Sequence, residues 1–184
     1  MEARNLNKHY TYSDYAAWED DTRWELVGGS AYMLAAPNVR HQRVLGNLYV
    51  KFREFLQGKP CEVFIAPCDV RINHNEEDDT VVQPDLMVVC DPSKIDEKGI
   101  KGAPELVIEI LSPSSGFHDA VTKLEIYQKY GVREFWIVNP EKKTVHVYHF
   151  NEEKHSLIIY KESSSIPMLV LEGCNISLAG IFPE

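Results

Sequence analysis

The sequence has no apolar stretch near the ~20 residues that a bilayer-spanning helix needs. Met1 to Tyr10 contain no apolar signal-peptide core, so a cytoplasmic location is the expectation. There are only four cysteines, Cys61, Cys68, Cys90 and Cys174, with no CxxC pair and no metal-ligand spacing against the histidines. This argues against a zinc site or a disulfide framework, and each is expected to be a small buried apolar residue or an inert thiol. Cations are scarce: 19 Lys and Arg stand against 28 Asp and Glu, a net charge of −9. Broad, nonspecific affinity for a polyanion is therefore disfavoured, because that affinity rests on neutralised phosphates. Gly28-Gly29 fits neither a P-loop nor a dinucleotide fingerprint, and no G-x-S-x-G elbow occurs. His146, His149 and His155 fall in late strands without sharing a metal-binding face. No repeat, low-complexity tract or linker divides the chain, so residues 1–184 read as a single domain.

What is present is an ordinary globular composition, 44% hydrophobic and 26% charged. Ser13 can cap a short helix through Trp18, with Asp14 in its first turn. Trp24 to Val27 and Ser30 to Leu34 read as a hairpin, because Gly28-Gly29 supplies the positive φ of a tight turn. From Val39 to Leu56, apolar Val44, Leu45, Leu48, Phe52, Phe55 and Leu56 recur at three- and four-residue spacing, which predicts a long amphipathic helix ended by Gly58 and Pro60. Short strands are expected at Glu62–Ala66, Asp69–Ile72, Leu86–Cys90 and Leu106–Leu111. The run Glu76 to Asp79 reads as a solvated loop between strands and lacks the alternating ligands and central glycine of an EF-hand. A second helix is expected from Asp119 to Tyr130, stopping at Gly131. Strands at Glu134–Val138, Thr144–Phe150 and Ser156–Tyr160 follow, the last two joined by a hairpin turn at Asn151 to Lys154, with a final short strand and turn within Asn175–Phe182.

Two acidic residues sit in segments that otherwise ask for burial. Asp85 follows Pro84 at the opening of the run Leu86-Met87-Val88-Val89, and Glu109 interrupts Leu106-Val107-Ile108-Glu109-Ile110-Leu111. A charge in such a strand is costly unless it is paired or binds a cation. Two facing carboxylates repel, and a divalent metal offsets that repulsion most simply. The bland alternative is a salt bridge from Glu109 to Lys or Arg, with Asp85 capping a turn. Asp119, Lys123 and Tyr127 are spaced i, i+4, i+8 and share one helix face. Lys123 follows Glu109 closely enough to fold back over the strand end and neutralise charge on a phosphate; a surface pair with Asp119 is the competing reading. Glu25 either adds a carboxylate or faces solvent from its hairpin strand. His41, at the start of the long helix, is a weaker candidate for reaching a phosphate.

Glu25, Pro84-Asp85, Glu109-Ile110-Leu111 and Lys123, in this order and layout, resemble the PD-(D/E)XK phosphodiesterase superfamily. Within it the chain is similar to the restriction-endonuclease type of the Uma-two group, a domain-of-unknown-function family, over nearly its whole length. The resemblance implies an α/β (α+β) fold, a restriction-endonuclease-like mixed central sheet flanked by helices. It implies Mg²⁺ or Mn²⁺ on Asp85, Glu109 and the backbone carbonyl of Ile110, with Lys123 and Glu25 as further catalytic residues. The implied reaction is metal-assisted attack of water on a DNA phosphodiester. One departure stands out: the superfamily's strand lysine, two residues after the acid, is Leu111 here, and Lys123 would replace it from the helix. A catalytically weak nuclease-fold binding or assembly module is the alternative, supported by the −9 charge. A third expectation is a homodimer built on the late strands, Phe135 to Tyr160.

Overall fold

The computed structural model describes residues 8–19, 21–74, 77–112, 117–150 and 155–183. A short helix α1 (Tyr12–Tyr15) precedes the hairpin β1 (Trp24–Val27) and β2 (Ser30–Met33), and the long helix α2 spans Val39–Leu56. Then come β3 (Glu62–Ile65), β4 (Val70–Arg71), β5 (Val81–Val82), β6 (Leu86–Val89), β7 (Ile95–Asp96), β8 (Gly99–Lys101) and β9 (Leu106–Ile110). Helix α3 (Phe117–Lys129) leads into β10 (Glu134–Asn139), β11 (Thr144–His149), β12 (Ser156–Lys161), β13 (Ser165–Pro167) and β14 (Asn175–Ser177).

The expected mixed central sheet runs β12-β11-β10-β9-β6-β3, antiparallel throughout except for the parallel pair β9–β10. A second six-stranded sheet of short strands, β2-β1-β5-β4-β8-β7, lies beside it, and β13–β14 form a small third sheet. Alternation along the central strands sorts their side chains onto two faces. Leu86, Val88, Ile108, Ile110, Trp136 and Val138 join the buried stripe of α2, Val44 through Leu56, and the C-terminal residues Ile166, Ile176 and Leu178. Met87, Val89, Val107, Phe135 and Ile137 join Tyr127 of α3 and Val70, Val82 and Ile100 of the second sheet. The central sheet is thus covered on both faces, which explains why its strands read as apolar runs. Glu109, between Ile108 and Ile110, projects to the α3 side.

Helix α2 has the bounds its spacing predicts, with Asn38 capping it through a side-chain bond from the His41 N–H at 2.9 Å. The hairpin turn sits on Gly28 and Gly29 at φ +53° and +74°. Three expectations are corrected. Helix α1 is capped by Thr11 rather than Ser13, because Asp14 Oδ2 accepts the Thr11 N–H at 3.0 Å and closes a capping box two residues earlier, and the helix ends at Tyr15 rather than Trp18. The cysteines are not all inert thiols: Cys61 and Cys90 form a disulfide across β3 and β6, one step beyond the pair Glu62↔Val89. Cross-strand neighbours 29 residues apart carry no local spacing signature. The acidic run is not uniformly solvated either. Asp79 is 7% exposed and takes hydrogen bonds from Asn73 and Thr80, while Asp78 pairs with Arg71. Glu76, Ser114, Ser115, the turn 151–154 and the side chain of Asp119 lie outside the described residues.

Candidate metal and phosphodiester site

Strands β6 and β9 set the two carboxylates. Their antiparallel register pairs Leu86 with Ile108, and the same register carried one step further sets Asp85 opposite Glu109. Such opposed residues have Cβ atoms only ~5 Å apart. Asp85 turns its Oδ2 onto the next residue of β9, accepting the Ile110 N–H at 2.7 Å and meeting His41 Nε2 of α2 at 3.0 Å. Pro84 keeps Asp85 at the mouth of the strand, where its side chain remains 19% exposed. The Ile110 N–H is the clamp that orients Asp85.

Lys123 folds back over the strand end from α3. Its Nζ donates to Glu109 Oε1 at 3.1 Å and to Glu25 Oε1 at 2.9 Å, so the helix lysine joins β9 to β1 instead of forming a surface pair. One turn further along, Tyr127 donates its hydroxyl to the same Glu109 oxygen at 2.7 Å. The i, i+4 spacing of Lys123 and Tyr127 is what lets both reach one carboxylate. Glu25 faces inward at 3% exposure and also accepts the Gln83 N–H at 2.7 Å.

Burial pushes the Glu109 carboxyl up to about 7, with Lys123 opposing that rise and Asp85 and Glu25 adding to it. Burial alone would lower the Lys123 ammonium, yet Glu109 and Glu25 more than reverse it, and Lys123 stays charged at any physiological pH. The Tyr127 hydroxyl is raised well above 10.0, first by burial and then by Glu109, so it remains a donor. Around Lys123 itself the ammonium is outnumbered by the carboxyl groups of Glu25, Glu109 and Asp85. Glu134 makes an instructive contrast. It is fully buried in β10, but its oxygens receive Trp136 Nε1 and the N–H groups of Leu169 and Val170, which makes it an anchor for the C-terminal segment.

A cleft of about 220 Å³ opens over these residues, lined among others by Arg23, His41, Gln83, Asp85, Glu109 and Lys123. Arg23 and Gln83 did not stand out in the sequence, and His41 ranked low; their contacts span 44 to 60 residues and leave no local pattern. His41 is buried with Nδ1 lacking a hydrogen-bond partner among the described residues. No group of three or more His, Cys, Asp or Glu side chains able to hold a metal occurs among the described residues. Asp85 and Glu109 are nevertheless hard oxygen donors of the type Mg²⁺ takes, and that ion commonly uses only one or two protein carboxylates and fills its shell with water.

Residues 12–179 match the family Uma2, described as "Putative restriction endonuclease". A curated relative, an uncharacterized protein of Synechocystis sp., is 25% identical over 169 residues, covering 90% of this chain and 86% of its own length. In fold, the chain is similar to a crystal structure from Anabaena variabilis titled as a putative nuclease belonging to DUF820, with TM-score 0.75 and 18% identity over 94% of this chain and 97% of that one.

Proposed function

This chain belongs to the Uma2 family of restriction-endonuclease description, and from that premise we propose that it is a metal-dependent phosphodiesterase acting on DNA at the cleft around Asp85 and Glu109. The observation that carries this reading is the cross-strand opposition of those two carboxylates under a lysine that stays charged. Asp85, Glu109 and the Ile110 carbonyl would hold Mg²⁺ or Mn²⁺. Such an ion, when bound, polarises a phosphoryl oxygen and lowers the pKa of a water. The chain's own residues prepare the site. The Ile110 N–H and His41 hold Asp85 by one oxygen, and Tyr127 and Lys123 hold Glu109 by one oxygen. In each case the second oxygen is the one offered to a cation. Lys123, kept charged by Glu109 and Glu25, can neutralise charge that develops on a phosphate. Incubation of supercoiled plasmid with the protein and Mg²⁺ or Mn²⁺ tests the reading: nicking or linearisation that EDTA stops supports it, and intact plasmid under both metals counts against it.

One observation favours the quieter alternative, a nuclease-fold binding or assembly module of weak activity: Lys123 is fully engaged by two protein carboxylates. Mn²⁺ binding that depends on Asp85 and Glu109, without any plasmid cleavage, would select it.

Proton and metal compete for Glu109. With its carboxyl pushed up to about 7, Mn²⁺ affinity by calorimetry is expected to strengthen with rising pH, by up to about tenfold per unit below that value, and to level off above it. An affinity that does not change between about pH 6 and about pH 8 contradicts this role for Glu109.

A two-fold assembly would suit a protein that cuts duplex DNA. The surface proposed for it is β12, an edge of the central sheet among the described residues, where Leu157, Ile158 and Ile159 are exposed; an apolar edge of this kind invites a second strand. Sedimentation should find a dimer that Ile159→Lys dissociates; a wild-type monomer at all concentrations removes the dimer from the proposal.

A further inference from the structure

A chain of net charge −9 that binds DNA must concentrate cation where the backbone lies. Among the described residues lining the cleft, Arg23 and Lys123 carry permanent positive charge. Lys123 is shared between two carboxylates. Arg23 is held differently. Its Nε and Nη2 both donate to the side-chain oxygen of Gln83, at 3.0 and 2.8 Å, and among the described residues no carboxylate pairs with it. A neutral amide oxygen fixes the plane of a guanidinium without cancelling its charge, and leaves Nη1 for another acceptor.

Gln83 is itself braced so that its oxygen can face only Arg23. Its Nε2 donates to Asp69 Oδ1 at 2.8 Å and to the Tyr15 hydroxyl at 3.2 Å, and its backbone N–H goes to Glu25. Two acceptors on the nitrogen end and two donors on the oxygen end fix the amide orientation. Asp69 sits behind the amide; its carboxylate takes its hydrogen bonds from Gln83 and Tyr15 and acts on the guanidinium only through longer-range charge, with no direct bond to it. A residue whose only task was to tie β1 to the Gln83-Pro84-Asp85 segment would be served as well by a neutral donor. A charged fork fixed on a neutral support in the lining of the cleft is an arrangement for an anion.

We propose that Arg23, aimed by Gln83, is the phosphate anchor of the cleft, gripping a DNA backbone phosphate beside the one attacked; this rests on the reading of the site as a DNA phosphodiesterase. Binding of a short fluorescent DNA duplex, followed by anisotropy in Ca²⁺ across a salt series, tests it in the wild type, Arg23→Gln and Arg23→Lys. Arg23→Gln is expected to weaken binding roughly tenfold to a hundredfold and to reduce the log–log salt slope by about 0.9, one phosphate contact. Arg23→Lys should keep the slope while losing part of the affinity, because the charge survives and the fork does not. Mn²⁺ affinity should be unchanged in both. Wild-type affinity and slope in Arg23→Gln, in a protein that still binds and cuts DNA, overturn the anchor alone. An unchanged slope together with lost Mn²⁺ affinity makes Arg23 a structural prop and overturns it too. Failure of the wild type to bind any duplex sinks the anchor and the DNA reading together.

Discussion

Asp85→Asn and Glu109→Gln are each expected to lower metal-dependent plasmid cleavage by roughly a hundredfold to a thousandfold, the range seen when one preorganised electrostatic group is lost, without unfolding the protein. The isosteric amides are chosen for what they preserve. Asn at position 85 can still accept the Ile110 N–H, and Gln at 109 can still accept from Tyr127 and Lys123. What each removes is one of the two negative oxygen donors for the ion. Glu109→Gln also has a stability signature. In the metal-free protein the Glu109 pKa rises from 4.5 to about 7, so between those values the folded state keeps a proton that the unfolded state gives up. The stability this group contributes is therefore full below the lower value and lost as pH rises to the upper one. Denaturant titrations of metal-free wild type should show that decline, and Glu109→Gln should flatten it. Wild-type cleavage by both amide variants would remove the proposed site.

Lys123→Met is expected to have the second large effect, on stability and rate together. It leaves the Glu25 and Glu109 carboxylates buried without the ammonium that joins them. Breaking such a pair from one side costs about 3–5 kcal/mol, readable in urea denaturation of the metal-free protein. The double change Lys123→Met with Glu25→Gln should recover much of that loss, because it removes a carboxylate along with its cation, and the shortfall from additivity measures the coupling. Cleavage should drop by roughly 10²–10³-fold in Lys123→Met. Mn²⁺ should bind it at least as tightly as it binds wild type, since the ammonium no longer competes for the carboxylates. Tight metal binding with lost cleavage assigns Lys123 to the phosphate; full cleavage would leave it a purely structural cation.

The parts of the fold that could be read in advance are those with enough residues to show a period. Helix α2 offers five turns of one repeating stripe, and its bounds follow from the stripe and from Gly58. Strands β5, β7 and β8, of two or three residues, are too short to alternate visibly and went unread, and with them the second sheet. The site divides in the same way. Glu109 was legible because a carboxylate in an apolar strand is anomalous, and Asp85 because Pro84 marks a strand opening. The i, i+4 spacing of Lys123 and Tyr127 showed a shared face, but only their contacts to Glu109 show where that face looks. Arg23, His41 and Gln83 were illegible as a group: each is ordinary in its own neighbourhood and acquires meaning from partners far along the chain. Glu134 shows the converse, a buried strand carboxylate as anomalous as Glu109 whose partners make it an anchor.

The site's central claim is that Asp85 and Glu109 together hold one hard dication. A crystal structure of the protein grown with Mn²⁺, read from the anomalous signal of manganese, tests that most directly. One peak between the two carboxylates, with an oxygen of each at roughly 2.1–2.2 Å and the Ile110 carbonyl beside it, is the predicted result. Manganese bound elsewhere, with Asp85 and Glu109 still held only by His41, the Ile110 N–H, Tyr127 and Lys123, would contradict it.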